Sequence, residues 1–333
     1  MTRPSNLPQT ILKLAADRLT GGRHPLFVCL SVTDRCNSNC SYCVYRKLGT
    51  ERHPDPQLEP LFDLIDQLAQ CGARRINLFG GEPLLREDLR EIIAHIRGRG
   101  IGVGVNTNGI LAPQRIEALR AADFVCLSLD ALGPANDRAR GPRAFEHALQ
   151  AIGLMRSNGI FFYVNALVTN ENIEQSLGLL ELAEEYDFYI QYSVLFESAD
   201  QELIPNPAVA ARILRRLMAQ KRKNRPVFFS IKAHRLMLRH YEQGVAVPLR
   251  CNIHSFGCTI DVNGDIYPCS FRISRMKTSN VYQQGFRKAF DELGNDCRFC
   301  GSVGFLEQNL IGRLDPAALW NLWRFSKRYR IKL

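Results

Sequence analysis

No run of eighteen apolar residues occurs in this 333-residue chain, so no transmembrane helix is expected. The N-terminal "MTRPSNLPQTILKLAADRL" lacks the apolar core and small-residue cleavage site of a secretory signal, which makes a cytoplasmic protein the expectation. Aromatic residues are only 9%, with two tryptophans, and they form no interleaved stacking platform. Helix-turn-helix spacing is also missing, so nucleic-acid binding has little support despite a net charge of +10. There is no low-complexity tract and no internal repeat beyond a strand–helix rhythm. What the chain does have is eleven cysteines. In a reducing compartment clustered thiols bind metal more often than they form disulfides. Eight of them cluster, while Cys29, Cys71 and Cys126 stand singly and read as small core residues.

From residue 25 short apolar runs alternate with amphipathic stretches. Strand-like segments at 25–33, 74–85 (running into a glycine turn), 101–109, 124–131, 161–170 and 189–196 are separated by helical periodicity. Six such alternations imply parallel strands joined by right-handed crossovers, with the sheet covered on both faces and nearly continuous in apolar residues. The fold class expected is α/β, a partial (β/α)6 barrel followed by a small α+β domain with a β-hairpin. In such sheets function collects at the C-terminal ends of the strands. Those ends read "DRCNSNCSYC", "GGEP", "NTNG", "SLDA", "NALVTNEN" and "LFES", polar or glycine-rich throughout. The domains expected are an N-terminal extension at 1–24 and the barrel at 25–197. A helical linker at 198–249, a cysteine-rich domain at 250–312 and a basic aromatic helix at 313–333 follow. Asn263-Gly264 marks the hairpin turn.

The first cluster, Cys36, Cys40 and Cys43, supplies three ligands and no fourth nearby. Structural zinc wants four protein ligands, so a closed site would need a distant residue. A cubane [4Fe–4S] cluster instead offers four irons, and three thiolates leave one open. C-x3-C-x2-C after a strand, with Tyr42 before the last cysteine, resembles the signature of radical S-adenosylmethionine (SAM) enzymes. "GGEP" (Gly80, Gly81, Glu82, Pro83), Asn106 and Asn108 of "NTNG", Ser128 and Asp130 of "SLD", and Asn165 fall in order at successive strand ends and strengthen it. The resemblance covers roughly residues 25–197. It implies that SAM chelates the fourth iron and that Gly80 and Gly81 admit the ligand close to backbone. The Gly81–Glu82 region then meets the SAM amino group, and the later polar residues meet its carboxylate and ribose. It further implies reductive cleavage of SAM to a 5′-deoxyadenosyl radical that takes hydrogen from a substrate carbon. No catalytic side chain beyond the cluster is assigned.

Cys251, Cys258, Cys269, Cys297 and Cys300 form the second group. Thiol pairs flanking a hairpin also suit a zinc ribbon. The arrangement is similar to the SPASM/twitch extension of the same family, and five cysteines fit the twitch form with one auxiliary [4Fe–4S] cluster. The resemblance selects Cys251, Cys269, Cys297 and Cys300 as ligands, with Cys258 as a possible alternative. Full ligation by cysteine implies electron transfer.

Three functions compete. The first is a radical SAM enzyme, oxidising or rearranging a small polar, sugar-like or phosphorylated substrate. It would use an external one-electron donor such as flavodoxin or ferredoxin. The second is a peptide-modifying SPASM enzyme (a ribosomal-peptide maturase), weakened because only residues 1–24 precede the first strand. The third is a metal-stabilised nucleic-acid-binding protein without catalysis. Basic runs at 212–225 and 324–332 read as solvated helix faces or as a surface for phosphates or anionic lipid. Trp320, Trp323 and Phe325 beside the second run suit packing on the barrel or contact with an anionic or lipid-linked substrate.

Overall fold

The computed structural model describes residues 7–43, 53–198, 200–244, 250–273, 275–295, 297 and 300–329. Helix α1 (Leu7–Thr20) precedes six repeats of strand and helix. The strands are β1 (Phe27–Thr33), β2 (Arg75–Gly80), β3 (Gly102–Thr107), β4 (Phe124–Ser128), β5 (Phe162–Val168) and β6 (Tyr189–Val194). Between them run α2 (Leu58–Gln70), α3 (Leu89–Gly98), α4 (Ile116–Ala121), the pair α5 (Pro134–Arg140) and α6 (Ala144–Ser157), and α7 (Ile173–Glu185). All six strands pair in parallel with their sequence neighbours. The crossover helices make this possible, since parallel strands cannot be joined by a tight turn. β6 stands at one end of the sheet, which remains an open, partial barrel.

The strands are not apolar on both faces, and here the sequence expectation needs correcting. On β5 buried and half-buried residues alternate through all seven positions, and β6 repeats the alternation. Val28, Leu30, Ile76, Leu78, Val103, Val105, Val164 and Ile190 face outward into the core beneath the helices. There they meet Leu61, Leu64 and Ile65 of α2, Ile92, Ile93 and Ile96 of α3, and Ile152 and Met155 of α6. The inward positions hold Cys29, Asn77, Asn106, Cys126, Ser128, Asn165 and Gln191, which border an internal cavity. A strand period of two divides the two sets. Cys29 therefore belongs to a cavity wall, while Cys126 borders the cavity and is buried as expected.

After β6 come α8 (Pro207–Arg222) and α9 (Ile231–Gln243), each opened by a side-chain cap, Asn206 and Ser230. The 212–225 basic run is tied to acids on its neighbours: Arg215 to Glu242, Arg216 to Glu174, and Arg225 to Glu184. Lys221 is turned inward and donates to the Val227 and Phe228 carbonyls. The hairpin expected at Asn263-Gly264 is present as β7 (Gly257–Ile260) and β8 (Ile266–Tyr267), with Gly264 at φ +90°. It joins the main sheet, because β7 pairs in parallel with β1 from Phe27↔Gly257 to Leu30↔Ile260. The sheet order is thus β6-β5-β4-β3-β2-β1-β7-β8.

Short helices α10 (Val281–Gln284) and α11 (Phe286–Asp291) lead to α12 (Val303–Gly312) and α13 (Pro316–Tyr329). Phe325 of α13 is buried at the N-terminal end of the barrel, its ring 5.6 Å from Phe161, 5.5 Å from Tyr189 and 4.3 Å from Phe228. Trp320 and Trp323 stack on each other at 4.8 Å and stay exposed. Most of the second basic run, 324–332, lies outside the described side chains. No helix among the described residues is long and apolar enough to cross a membrane.

Candidate active site

Strand β1 runs directly into the loop that carries Cys36, Cys40 and Cys43. Cys40 lies within electrostatic reach of both other thiols. Burial pushes its thiol up from the ordinary value, and the nearby Arg140 guanidinium opposes that rise. The Ser38 amide points at the Cys36 sulfur at 3.4 Å.

Two strand ends clamp this loop. Gly81 N–H donates to the Thr33 carbonyl at 2.7 Å, and Glu82 N–H to the Arg35 carbonyl at 2.8 Å. A Cβ on Gly80, whose φ is +132°, would sit 2.3 Å from the Thr33 carbonyl oxygen. One on Gly81 would sit 2.1 Å from that of Arg35. The paired glycines therefore admit the backbone of the cysteine loop itself. Pro83 opens the buried 3-10 turn Pro83–Leu85 that follows.

Glu82 is 1% exposed, and three donors reach its carboxylate: the Leu84 amide at 3.0 Å, the Thr107 hydroxyl at 2.8 Å and the Asn108 amide at 2.7 Å. Burial pushes its pKa up to about 7, partly offset by those hydrogen bonds and by the Arg140 charge. The Asn108 side chain reaches across to Asn37 Oδ1 at 2.8 Å and Ser38 Oγ at 3.0 Å. The ends of β2 and β3 are thereby stitched to the cysteine loop.

The other side of the loop is held by Asp130, just past β4. Its wholly buried carboxylate accepts from Arg140 at 2.8 and 3.2 Å, from the Tyr42 hydroxyl at 2.5 Å and from the Leu167 amide at 3.0 Å. Arg140 also lies 5.8 Å from the Tyr42 ring centroid, and the Ser41 amide donates to the Ala139 carbonyl. Asp130 and Tyr42, expected to touch SAM, are engaged with each other and with Arg140. Burial together with the Asp130 bond holds the Tyr42 hydroxyl protonated far above its ordinary range. Arg140 was missed by sequence reasoning, because only the turn of α5 brings it under the loop.

Asn106, Ser128 and Asn165 point inward and line a cavity of about 350 Å³. Asn106 accepts from Asn77 at 3.0 Å and Asn165 from Gln191 at 3.0 Å. The Asn77 Oδ1 atom is buried with no partner among the described residues. At its far side the cavity reaches Pro268, Ser270, Ser302 and Gly304, which flank the second cysteine group.

In that group Cys269 feels Cys300, Cys297 and Cys251, and burial pushes Cys269 and Cys300 up to about 12. Asn309 Nδ2 approaches Cys251 Sγ at 3.5 Å, its Oδ1 accepts from the Asn252 amide, and Asn295 accepts from the Cys297 amide. The Phe196 and Phe271 rings, 4.8 Å apart, and the Arg275–Glu197 ion pair dock this region on the end of β6. Cys258 is elsewhere: it is buried in β7, paired with Val28, with Cys29 as its thiol neighbour.

Among the described residues, no three Cys, His, Asp or Glu side chains are gathered closely enough to hold a single metal ion. A cubane spreads its thiolates over separate corner irons, wider than tetrahedral zinc at about 2.3 Å per bond. The Cys269 and Cys300 thiols, driven up to about 12, need a cationic centre beside them before they ionise at neutral pH. Both cysteine groups therefore fit an iron–sulfur cluster.

The Radical SAM superfamily model matches residues 30–183. An AdoMet-dependent heme synthase of Methanosarcina barkeri is 28% identical over 299 residues, 80% of this chain and 82% of that protein. The mycofactocin maturase MftC of Mycobacterium ulcerans is 28% identical over 283 residues, 81% of this chain and 74% of that one. Among solved structures, SuiB of Streptococcus suis bound to S-adenosylmethionine has a TM-score of 0.67 at 17% identity, over 86% of this chain and 69% of its own. Its structure with the precursor peptide SuiA scores 0.66 at 16% identity, over 87% and 70%. These last two are likenesses of fold.

Proposed function

The chain belongs to the radical SAM superfamily, beside SPASM-type relatives, and from that premise we propose an oxidising enzyme acting on a small polar substrate held in the barrel cavity. It is a radical SAM enzyme, and its cofactors are a [4Fe–4S] cluster, S-adenosylmethionine and an auxiliary [4Fe–4S] cluster. When bound, these groups supply the reductive cleavage of S-adenosylmethionine to a 5′-deoxyadenosyl radical and a nearby acceptor for an electron.

In this reading Cys36, Cys40 and Cys43 would hold the first cluster, which would also bind SAM. Arg140 favours the Cys40 thiolate. Glu82 and Asn108 hold the loop's height above the sheet, while Asp130, Arg140 and Tyr42 hold its lateral position. Asn106, Ser128 and Asn165 offer hydrogen bonds to SAM from the cavity wall. Cys251, Cys269, Cys297 and Cys300 ligate the auxiliary cluster, and Cys258 does not. Enclosure by the sheet and α12–α13 keeps water from the reacting carbon.

One observation carries the reading. The same cavity is bordered by the inward strand residues and by the residues flanking Cys269 and Cys300. A substrate there would lie beside the auxiliary cluster, with the inward strand residues directing its other end toward the rim that carries the first cysteine group. A volume of about 350 Å³ suits a small molecule. The electron that starts the reaction comes from an external donor such as flavodoxin or ferredoxin.

A peptide substrate is the second reading. The maturase relative and the peptide-bound neighbour favour it, and it requires only one side chain of the peptide to enter the cavity.

Anaerobic reconstitution tests the proposal. About eight irons per chain are expected, four for each cubane, with 5′-deoxyadenosine formed on reduction. Replacing Cys36, Cys40 and Cys43 with alanine should leave about four irons and no 5′-deoxyadenosine. A wild-type chain holding iron but forming none would remove the proposed chemistry.

A further inference from the structure

The cavity floor holds a positive charge that no carboxylate among the described residues answers. Arg75, the first residue of β2, lines the cavity, with its guanidinium carbon 5.0 Å from the Phe27 ring centroid and 5.6 Å from that of Phe124. Those ring contacts use its charge but satisfy none of its five N–H donors. Among the described residues it has no carboxylate partner and no hydrogen-bond acceptor. The other deeply placed arginines are paired, Arg140 with Asp130 and Arg86 with Asp88. An enclosed guanidinium without an anion is the exception in folded proteins.

Among the described residues Cys29, Cys126, Cys258 and Tyr163 also line the cavity, kept protonated by burial, and the one further liner with a formal charge is Glu307. It is already engaged: it accepts from the Ser230 amide and hydroxyl and from Asn321. The free charge is therefore a single positive one, presented as a planar fork. That matches a carboxylate better than a phosphate dianion, which would call for a second cation. Two residues along the same face of β2, the Asn77 Oδ1 atom lacks a donor. The two positions are about 7 Å apart along a strand.

We propose that Arg75 and Asn77 form a carboxylate subsite, and that the substrate carries a carboxylate with an N–H or O–H donor several bonds away. Arg75 takes the carboxylate at the floor and Asn77 Oδ1 takes the donor. The substrate's far end is then directed toward the rim that bears the first cysteine group. This deepens the function proposed above and rests on the cavity being the substrate's place.

4-Hydroxybenzoate is a suitable probe, since its carboxylate and hydroxyl stand at opposite ends of one flat ring. Its amide, 4-hydroxybenzamide, is the neutral comparison. Titration calorimetry on the anaerobically reconstituted holoenzyme should show a preference of about tenfold or more for the acid. Arg75→Lys should keep part of that preference and Arg75→Gln should abolish it. An equal preference in Arg75→Gln overturns the subsite, as does its absence in wild type, a comparison that needs no variant to fold. Formation of 5′-deoxyadenosine by the same preparation without probe reports separately on the proposed function. A preparation that forms it yet shows no preference for the acid overturns the subsite alone.

Discussion

Asp130 shows how far a residue's task depends on what the fold brings to it. Its place in "SLD" at a strand end marked it for a ligand, yet its carboxylate is filled by Arg140, Tyr42 and the Leu167 amide. The Asp130→Asn variant leaves Arg140 buried without its anion, and a loss of about 3–5 kcal/mol is expected. Urea denaturation of the cluster-free protein measures it, and an unchanged midpoint would mean that the network holds nothing together. Glu82 makes a prediction of opposite character. Its folded pKa of about 7 lies above the ordinary 4.5, so the folded chain binds the proton more tightly than the unfolded one. Its contribution is intact below pH 4.5, falls as the pH rises toward 7 and levels off beyond, a loss of about 3 kcal/mol. Denaturation midpoints between pH 4.5 and 8 should show this decline, and Glu82→Gln should flatten it whatever that variant costs in absolute stability. An identical slope in both proteins would assign the decline to other groups, such as Glu307.

At the scale of elements, the strand ends were legible in the sequence because glycine and polar clusters interrupt apolar runs at regular intervals. The three-cysteine loop and the hairpin turn were legible for similar local reasons. The inward face was misread, since Cys, Ser and Thr in "FVCLSVT" blur an alternation that "YVNALV" and "YIQYSV" state plainly. Arg140 and Asn309 had no local signal, because each acts on a thiol from another part of the chain. The glycines of "GGEP" also have a neighbour that no local pattern announces, the backbone of the cysteine loop. Gly81→Ala tests the neighbour now assigned. A Cβ pressed to 2.1 Å from the Arg35 carbonyl must displace the cysteine loop, so the first site should lose its iron. About four irons should remain at the auxiliary site, and a count near eight would show that the loop accommodates the methyl group.

At the scale of the molecule, the hairpin pairs β7 onto β1 and makes the cysteine-rich region an extension of the main sheet. Sequence alone placed that region in a separate domain, since nothing in "CTIDVNGDIYPC" names the strand it will pair with. A chain ending at residue 249 would expose the β1 edge from Phe27 to Leu30, an apolar parallel edge with no strand to cover it. It should elute as aggregate in size-exclusion chromatography, whereas a monodisperse monomer would show that the barrel stands without its extension.

The sheet order also sets a schedule. β1 leaves the ribosome well before one of its two partners, β7, which lies more than two hundred residues downstream. At about 5–20 residues per second, that strand waits on the order of 10–45 s for its second neighbour. The loop that receives the first cluster hangs from its end throughout. Delivery of iron and sulfur during translation therefore meets a half-anchored loop, and delivery afterwards meets a finished one.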